Sequence, residues 1–114
     1  MLPGSGQNLQ GEEMKYYALL YHVVDDFVAR RAAFREEHLR LVGEAHRRGD
    51  LLLAGAFEDP ADRALLVFRA ADGSVAENFA RNDPYVIRGL VTRWEVRPWN
   101  VVVGIDSRSA GGGR

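Results

Sequence analysis

The sequence predicts an α+β domain with four antiparallel strands and two helical segments, and three observations carry that reading. Two-residue alternation or short apolar runs mark strands near both ends and in the middle of the chain. A 3.6-residue apolar spacing marks a long helix after the first strand, and turn chemistry separates the segments in the order strand, helix, strand, strand, helix, strand. At 114 residues, with 46% hydrophobic and 27% charged side chains, the chain is one globular domain with enough apolar mass for a real core. A net charge of -1 leaves no electrostatic footprint for nucleic acid or an anionic membrane. The absence of cysteine excludes disulfides, thiolate chemistry and cysteine-ligated metals.

Residues 1–13 (MLPGSGQNLQGEE) carry little that is apolar, so a flexible extension is expected there. They lack the basic start and apolar run of a signal peptide, and no apolar stretch approaches the ~20 residues of a membrane span, so a cytoplasmic protein is expected. The folded unit is expected over 14–104. Residues 105–114, rich in Ser and Gly, are expected to form a disordered tail.

Lys15 to Val24 (KYYALLYHVV) is the first strand, stopped by Asp25-Asp26. Tyr17, Leu19 and Tyr21 take one face while Tyr16, Ala18 and Leu20 take the other, so both faces are apolar and the strand is central. From Phe27 to Arg48 the spacing becomes helical, with Asp25 or Asp26 as N-cap. His46-Arg47-Arg48-Gly49 closes it, because cations complement free carbonyls and Gly supplies a left-handed cap. His46 is explained by that terminal role. Leu51 to Ala56 and Ala64 to Arg69 read as a hairpin around Asp59-Pro60, with Gly55 allowing a close backbone approach or a bulge.

Ser74-x-x-Glu77 has the spacing of a capping box and starts a second helix through about Arg81. Pro84 then disfavours helical geometry at Asp83 but suits the first position of a new turn, so Asp83 is the expected N-cap of a turn that Gly89 ends. Val91 to Val103 is the last strand, and Pro98, which cannot donate to a ladder, puts it at a sheet edge or marks a bulge. Two helices on one face of a four-stranded antiparallel sheet give a ferredoxin-like (βαββαβ) fold. The opposite face, with Ala18 and Leu20, needs a cover, and a second copy of the chain packing as a two-fold dimer is the simplest one.

Chemistry centres on the histidines. On a continuous helix, Phe34, His38, Leu41, Val42 and Ala45 share a face, which places a histidine where core residues point. Either His38 is a buried side chain held by a structural hydrogen bond, or it faces a pocket and moves protons near neutral pH. Arg35, one turn earlier, either pairs with a neighbouring Glu or receives an anionic substrate. Asp83 either only caps its turn or also orients an imidazole, and a carboxylate has acceptor sites for both. A metal would need His22, His38 or His46 to converge with carboxylates, and their spacing does not call for it; no nucleophile elbow, HExxH motif or phosphate-binding Gly loop is present.

Taken in order, Arg35-x-x-His38-Leu39, Gly49-Asp50-Leu51-Leu52-Leu53-Ala54-Gly55, Asn82-Asp83-Pro84-Tyr85-Val86 with Gly89, and Val96-Arg97-Pro98-Trp99 resemble the YCII-related (YciI-like) proteins across Met14 to Val103. The resemblance implies a ferredoxin-like fold assembled as a dimeric α+β barrel, with a histidine–aspartate pair, here His38 and Asp83, lining a cleft. It also implies lyase or dehydrochlorinase-like activity, which is associated with part of the family. Where such relatives commonly read Gly-Pro after the second strand, this chain reads Gly55-Ala56.

The expected function is therefore a small, cofactor-free, homodimeric enzyme without a metal, moving a proton on a small, anionic or ring-containing molecule as a lyase or isomerase. His38 serves as base or acid, Asp83 as its orienting partner, Arg35, the Gly55 backbone and Tyr85 as substrate contacts. Two alternatives stand beside it. One is a non-catalytic dimeric binding module, in which no deep cleft adjoins His38 or Asp83 turns wholly to the backbone. The other is a cofactor-free oxygenase in which Trp94, Trp99 and the tyrosines line an aromatic pocket.

Overall fold

The computed structural model describes residues 13–104, so the expected tail over 105–114 and all but Glu13 of the expected extension lie outside the described residues. The elements are β1 (Lys15–Val23), α1 (Phe27–Arg30), a 3-10 turn (Arg31–Phe34), α2 (Arg35–Arg47), β2 (Leu51–Ala56), β3 (Arg63–Ala70), α3 (Ser74–Asn82), α4 (Pro84–Ile87) and β4 (Val91–Trp99). The four strands form one antiparallel sheet in the order β2-β3-β1-β4. This is the ferredoxin-like α+β arrangement, with β1 central as its two-sided apolar pattern predicts.

Alternation along β1 decides where the core lies. Tyr17, Leu19 and Tyr21 are buried beneath the helices, beside Leu66 and Phe68 of β3 and next to Trp94 and Val96 of β4. Full burial of a side chain such as Leu19 or Phe68 stabilises the fold by about 1.5–3 kcal/mol. The other sheet face is open in the single chain. Ala18 and Leu20 are half-buried there, and Leu53 and Trp99 are exposed.

Several boundaries differ from the sequence expectation. The helix expected to run unbroken from Phe27 to Arg48 tightens to a 3-10 turn over Arg31–Phe34 and restarts at Arg35, because Phe34 leaves helical geometry at φ -121°, ψ 5° while it packs against the core. Asp26 holds the cap position of α1, but its carboxylate makes no cap bond and lies 3.8 Å from Arg30 instead. The Ser74-Glu77 box does not form, because Ser74 is the first helical residue and Gly73 takes the cap position. The Asp72 carboxylate receives the Ser74 N–H at 2.9 Å in its place. The last strand ends at Trp99 rather than Val103, and as an edge strand it tolerates Pro98.

At the end of α2, Gly49 adopts the left-handed φ of 88° that the cap requires. His46 does more than complement the helix end: its Nδ1 donates to the Leu51 carbonyl at 2.8 Å and ties the helix to β2. Gly55 has no atom within 4 Å of where a Cβ would stand, so neither a close approach nor a bulge of the protein demands glycine there.

Candidate active site

The carboxylate of Asp83 is placed by proline. Pro84 keeps Asp83 extended at φ -76°, ψ 124°, which ends α3, and it then occupies the first position of α4. Asp83 Oδ1 accepts the Tyr85 N–H at 3.0 Å, the expected cap. Capping leaves the rest of the carboxylate free, and two side chains use it. Tyr21, from the inner face of β1, donates its hydroxyl to Oδ2 at 2.7 Å, and His38, from the middle of α2, brings Nδ1 to 2.9 Å from Oδ1 and 3.1 Å from Oδ2. Asp83 is fully buried, and its charge is tolerable because each oxygen is bonded.

A carboxylate facing Nδ1 assigns that nitrogen the proton, since a neutral imidazole donates at one nitrogen and accepts at the other. Nε2 then carries the lone pair. The ring is fixed further by stacking on Tyr85, with centroids 3.9 Å apart and planes 12° from parallel, and the side chain keeps 14% exposure. Burial first, then the Asp83 charge and the hydrogen bond to it, push the Tyr21 phenol far above its ordinary 10.0, so Tyr21 remains a donor. Burial also raises the Tyr85 phenol, against the pull of the Arg35 and Arg31 charges.

His38 opens onto a cleft of about 160 Å³. Arg35, His38 and Val42 from α2 form one wall and the β2 edge at Ala54, Gly55 and Ala56 another, with Tyr21 and Tyr85 between them. Of the sequence candidates, His38, Arg35, Gly55 and Tyr85 all line this cleft, while Asp83 stands behind His38. His22 and His46 do not join it. His22 Nε2 lies 3.0 Å from an Arg93 nitrogen, and His46 serves the Leu51 carbonyl. Among the described residues no group of three or more His, Cys, Asp or Glu converges on a metal position. Trp94 sits beside Arg81 and Trp99 is on the open sheet face, so of the aromatic residues the oxygenase alternative expects around a pocket, Tyr21 and Tyr85 line the cleft and the two tryptophans do not.

Two site residues go beyond the sequence candidates. Tyr21 enters the sequence reading only as strand core and as one of the tyrosines of the oxygenase alternative, and its signal is that a tyrosine on a buried face needs a hydrogen-bond partner. Arg31 lines the cleft with Arg35, and its signal is spacing, four residues before Arg35 and seven before His38.

The arrangement sets an imidazole against a buried carboxylate, with two arginines lining the same cleft. A cleft adjoins His38, and Asp83 is not turned wholly to the backbone.

Comparison with known proteins agrees with this architecture. The family model described as the YCII-related domain matches residues 14–100. Among solved structures, 5-chloro-2-hydroxyhydroquinone dehydrochlorinase from Burkholderia phenoliruptrix, in complex with 2,5-dihydroxybenzoquinone, superposes with a TM-score of 0.63 at 15% identity, covering 75% of this chain and 93% of that one. A NIPSNAP family protein from Agrobacterium tumefaciens superposes with a TM-score of 0.51 at 13% identity, covering 79% and 94% respectively. At such identities the likeness establishes the fold. No curated protein matches the chain.

Proposed function

The chain belongs to the YCII-related domain family, and on that premise we propose that it is a small-molecule enzyme of the lyase or isomerase type, in which His38 and Asp83 move a proton on an anionic or ring-containing substrate. The observation that carries this reading is the His38 Nδ1 to Asp83 contact at 2.9 Å, with Nε2 left unbonded among the described residues beside the cleft.

In the proposed reaction Nε2 takes a proton from a substrate carbon next to a conjugated oxygen. Asp83 stabilises the imidazolium that forms, and the electron pair left on carbon spreads to the substrate oxygen facing Arg35 and the Gly55 backbone. That pair then expels a leaving group such as chloride, or the proton returns from Nε2 to another carbon of the same conjugated system. The first outcome is a lyase reaction and the second an isomerase reaction. Neither asks for a cofactor, because a base and an oxyanion acceptor complete the chemistry.

The proposed working unit is a cytoplasmic homodimer in which a second copy covers the open sheet face around Leu20, Leu53 and Trp99. Among the described residues no helix is long and apolar enough to cross a membrane.

A panel of hydroxyquinols, chlorinated hydroxyquinols and cyclic enones in heavy water tests the reaction. Deuterium uptake and chloride release are read by mass spectrometry and an ion electrode. We expect turnover of at least one member, and a roughly 10²–10⁴-fold loss in a His38→Ala protein whose circular dichroism and melting are intact. A folded variant with undiminished turnover sinks the base assignment, and one that unfolds shows His38 to be structural.

A further inference from the structure

Three hydrogen-bond donors border the cleft, and no acceptor among the described residues answers them. Arg31 and Arg35 both line it, and neither pairs with a carboxylate among the described residues; Arg47, Arg69, Arg88, Arg93 and Arg97 share that state, and what sets the two apart is that they face this cleft beside His38. Arg31 does lie over the Phe27 ring, at 5.4 Å, but that contact leaves its N–H groups without acceptors. The third donor is the hydroxyl of Tyr85, a residue 3% exposed, whose oxygen is buried with no hydrogen-bond partner. Arg35 faces the oxygen of this hydroxyl as a donor, which leaves the phenol proton without an acceptor among the described residues.

A guanidinium has five donors and no acceptor, so neither arginine can receive the phenol proton. Asp83 does not receive it either: the donors at its oxygens are the Tyr21 hydroxyl, His38 and the Tyr85 N–H. Buried polar groups almost always find a partner, and an oxygen that accepts from Tyr85 while facing two cations is an anionic oxygen. The remaining surroundings describe the body attached to it. Phe27, Val42 and Leu66 give apolar wall, and Ala54, Gly55 and Ala56 leave room at the β2 edge. A volume of about 160 Å³ is well below the ~300–1,000 Å³ of pockets for drug-sized ligands. The body is therefore no larger than about one ring.

We propose that the cleft selects a small apolar molecule carrying one delocalised oxyanion, a carboxylate or an ionised enol or phenol, received jointly by Arg31, Arg35 and the Tyr85 hydroxyl. This deepens the proton-transfer reading, on which it rests for the role of His38 beside the bound anion. Arg31 and Tyr85 are then specificity-determining residues, and neutral analogues are rejected because they leave two cations and a buried hydroxyl unmet.

Titration calorimetry on the full chain at pH 8 tests this with three probes: benzoate, 4-nitrophenolate and neutral nitrobenzene. We expect at least one anion to bind, more weakly as salt rises, and nitrobenzene to show no binding. Binding by benzoate alone assigns the carboxylate class, and binding by 4-nitrophenolate alone the ionised hydroxyl class. Arg31→Met and Arg35→Met should each weaken the anion about tenfold or more, and Tyr85→Phe severalfold, in proteins that melt as the parent does. His38→Asn should retain anion binding while losing turnover, so the clamp and the dyad fail separately. Absence of binding by either anion, nitrobenzene binding as tightly as they do, or a folded Arg31→Met/Arg35→Met double variant binding undiminished overturns the clamp.

Discussion

Two depressions flank α2, and they differ in whether their polar groups are already satisfied. The larger, about 450 Å³, lies between α2 and α3 and is bordered by Glu37, Arg40, Arg48 and Asn78 over a floor that includes Phe68 and Phe79. Its charges answer one another. Arg40 donates to Glu37 at 3.0 Å and to Glu44 at 2.6 Å, Arg48 donates to Asp50 at 3.0 Å, and the Arg40 bonds hold the Glu37 carboxyl below its ordinary range. Its two phenylalanines meet edge to face at 5.5 Å. Its charged side chains are thus already paired among the described residues. Among the described residues, the smaller cleft has an imidazole with an unbonded nitrogen, two guanidiniums without carboxylates and a buried hydroxyl without an acceptor. Unmet chemistry, rather than volume, is what makes the smaller cleft the candidate site.

The largest test of this contrast is Asp83→Ala. On the cleft side one carboxylate holds three elements, because it caps α4, receives Tyr21 from β1 and orients His38 on α2. Losing the cap costs about 1 kcal/mol and leaving the Tyr21 hydroxyl buried without a partner about 1–3 kcal/mol more, so the expected loss of stability is about 2–4 kcal/mol. Urea unfolding measures it. Asp83→Asn keeps a capping oxygen and should lose less stability, yet turnover should still fall by up to about 10⁴-fold, because the amide does not hold the imidazole in the same tautomer. Equal stability of Asp83→Ala and the parent breaks the claim that the cleft side is built on this carboxylate.

How much of this was readable beforehand follows from the range of each interaction. The alternation grouped Tyr17, Leu19 and Tyr21 on one face of β1, because side-chain direction in a strand is local, but with both faces apolar it did not say which one the helices cover. Asp83-Pro84 named a cap and a helix restart for the same reason. The pairing of His38 with Asp83, 45 residues apart, came from resemblance to a family, since helical spacing says which face a histidine takes but not what waits there. The hydroxyl of Tyr21 meets Asp83 across 62 residues, and its alternation marked it only as core. The break at Phe34 was hidden because it answers tertiary packing, and the Ser74 box failed because Asp72 offered the Ser74 N–H a nearer acceptor.

A middle-sized effect is expected from Tyr21→Phe, which removes one donor from Asp83 and leaves the ring in place. A hydrogen bond to a charged group contributes about 1.5–3 kcal/mol, so the variant should be less stable by roughly that amount at neutral pH. The pH dependence has a definite sign. The folded-state pKa of Tyr21 lies above the ordinary 10.0, so its contribution is fully present below pH 10 and fades as pH rises above it, where the unfolded chain loses a proton that the folded chain keeps. Denaturation profiles taken from pH 8 to 11 should therefore fall less steeply in Tyr21→Phe than in the parent. Tyr85, raised in the same direction, contributes its own fall in both proteins. Parallel profiles would mean that the phenol ionises as freely in the fold as out of it.

The smallest effect should come from Arg40→Met, and its smallness is what gives it meaning. Arg40 has the most fully matched guanidinium on α2, yet its side chain is 52% exposed, and exposed pairs of this kind contribute little because water and salt already screen them. Thermal melting of Arg40→Met should coincide with the parent within error, and 4-nitrophenolate or benzoate affinity should be unchanged. Arg35, only five positions away on the same helix, should show the opposite pattern: melting also near the parent, since it has no carboxylate partner to lose, but anion affinity falling about tenfold. If the two substitutions weaken the anion equally, the effect belongs to the net charge of the helix. If only Arg35→Met does so, it belongs to the donors gathered beside His38.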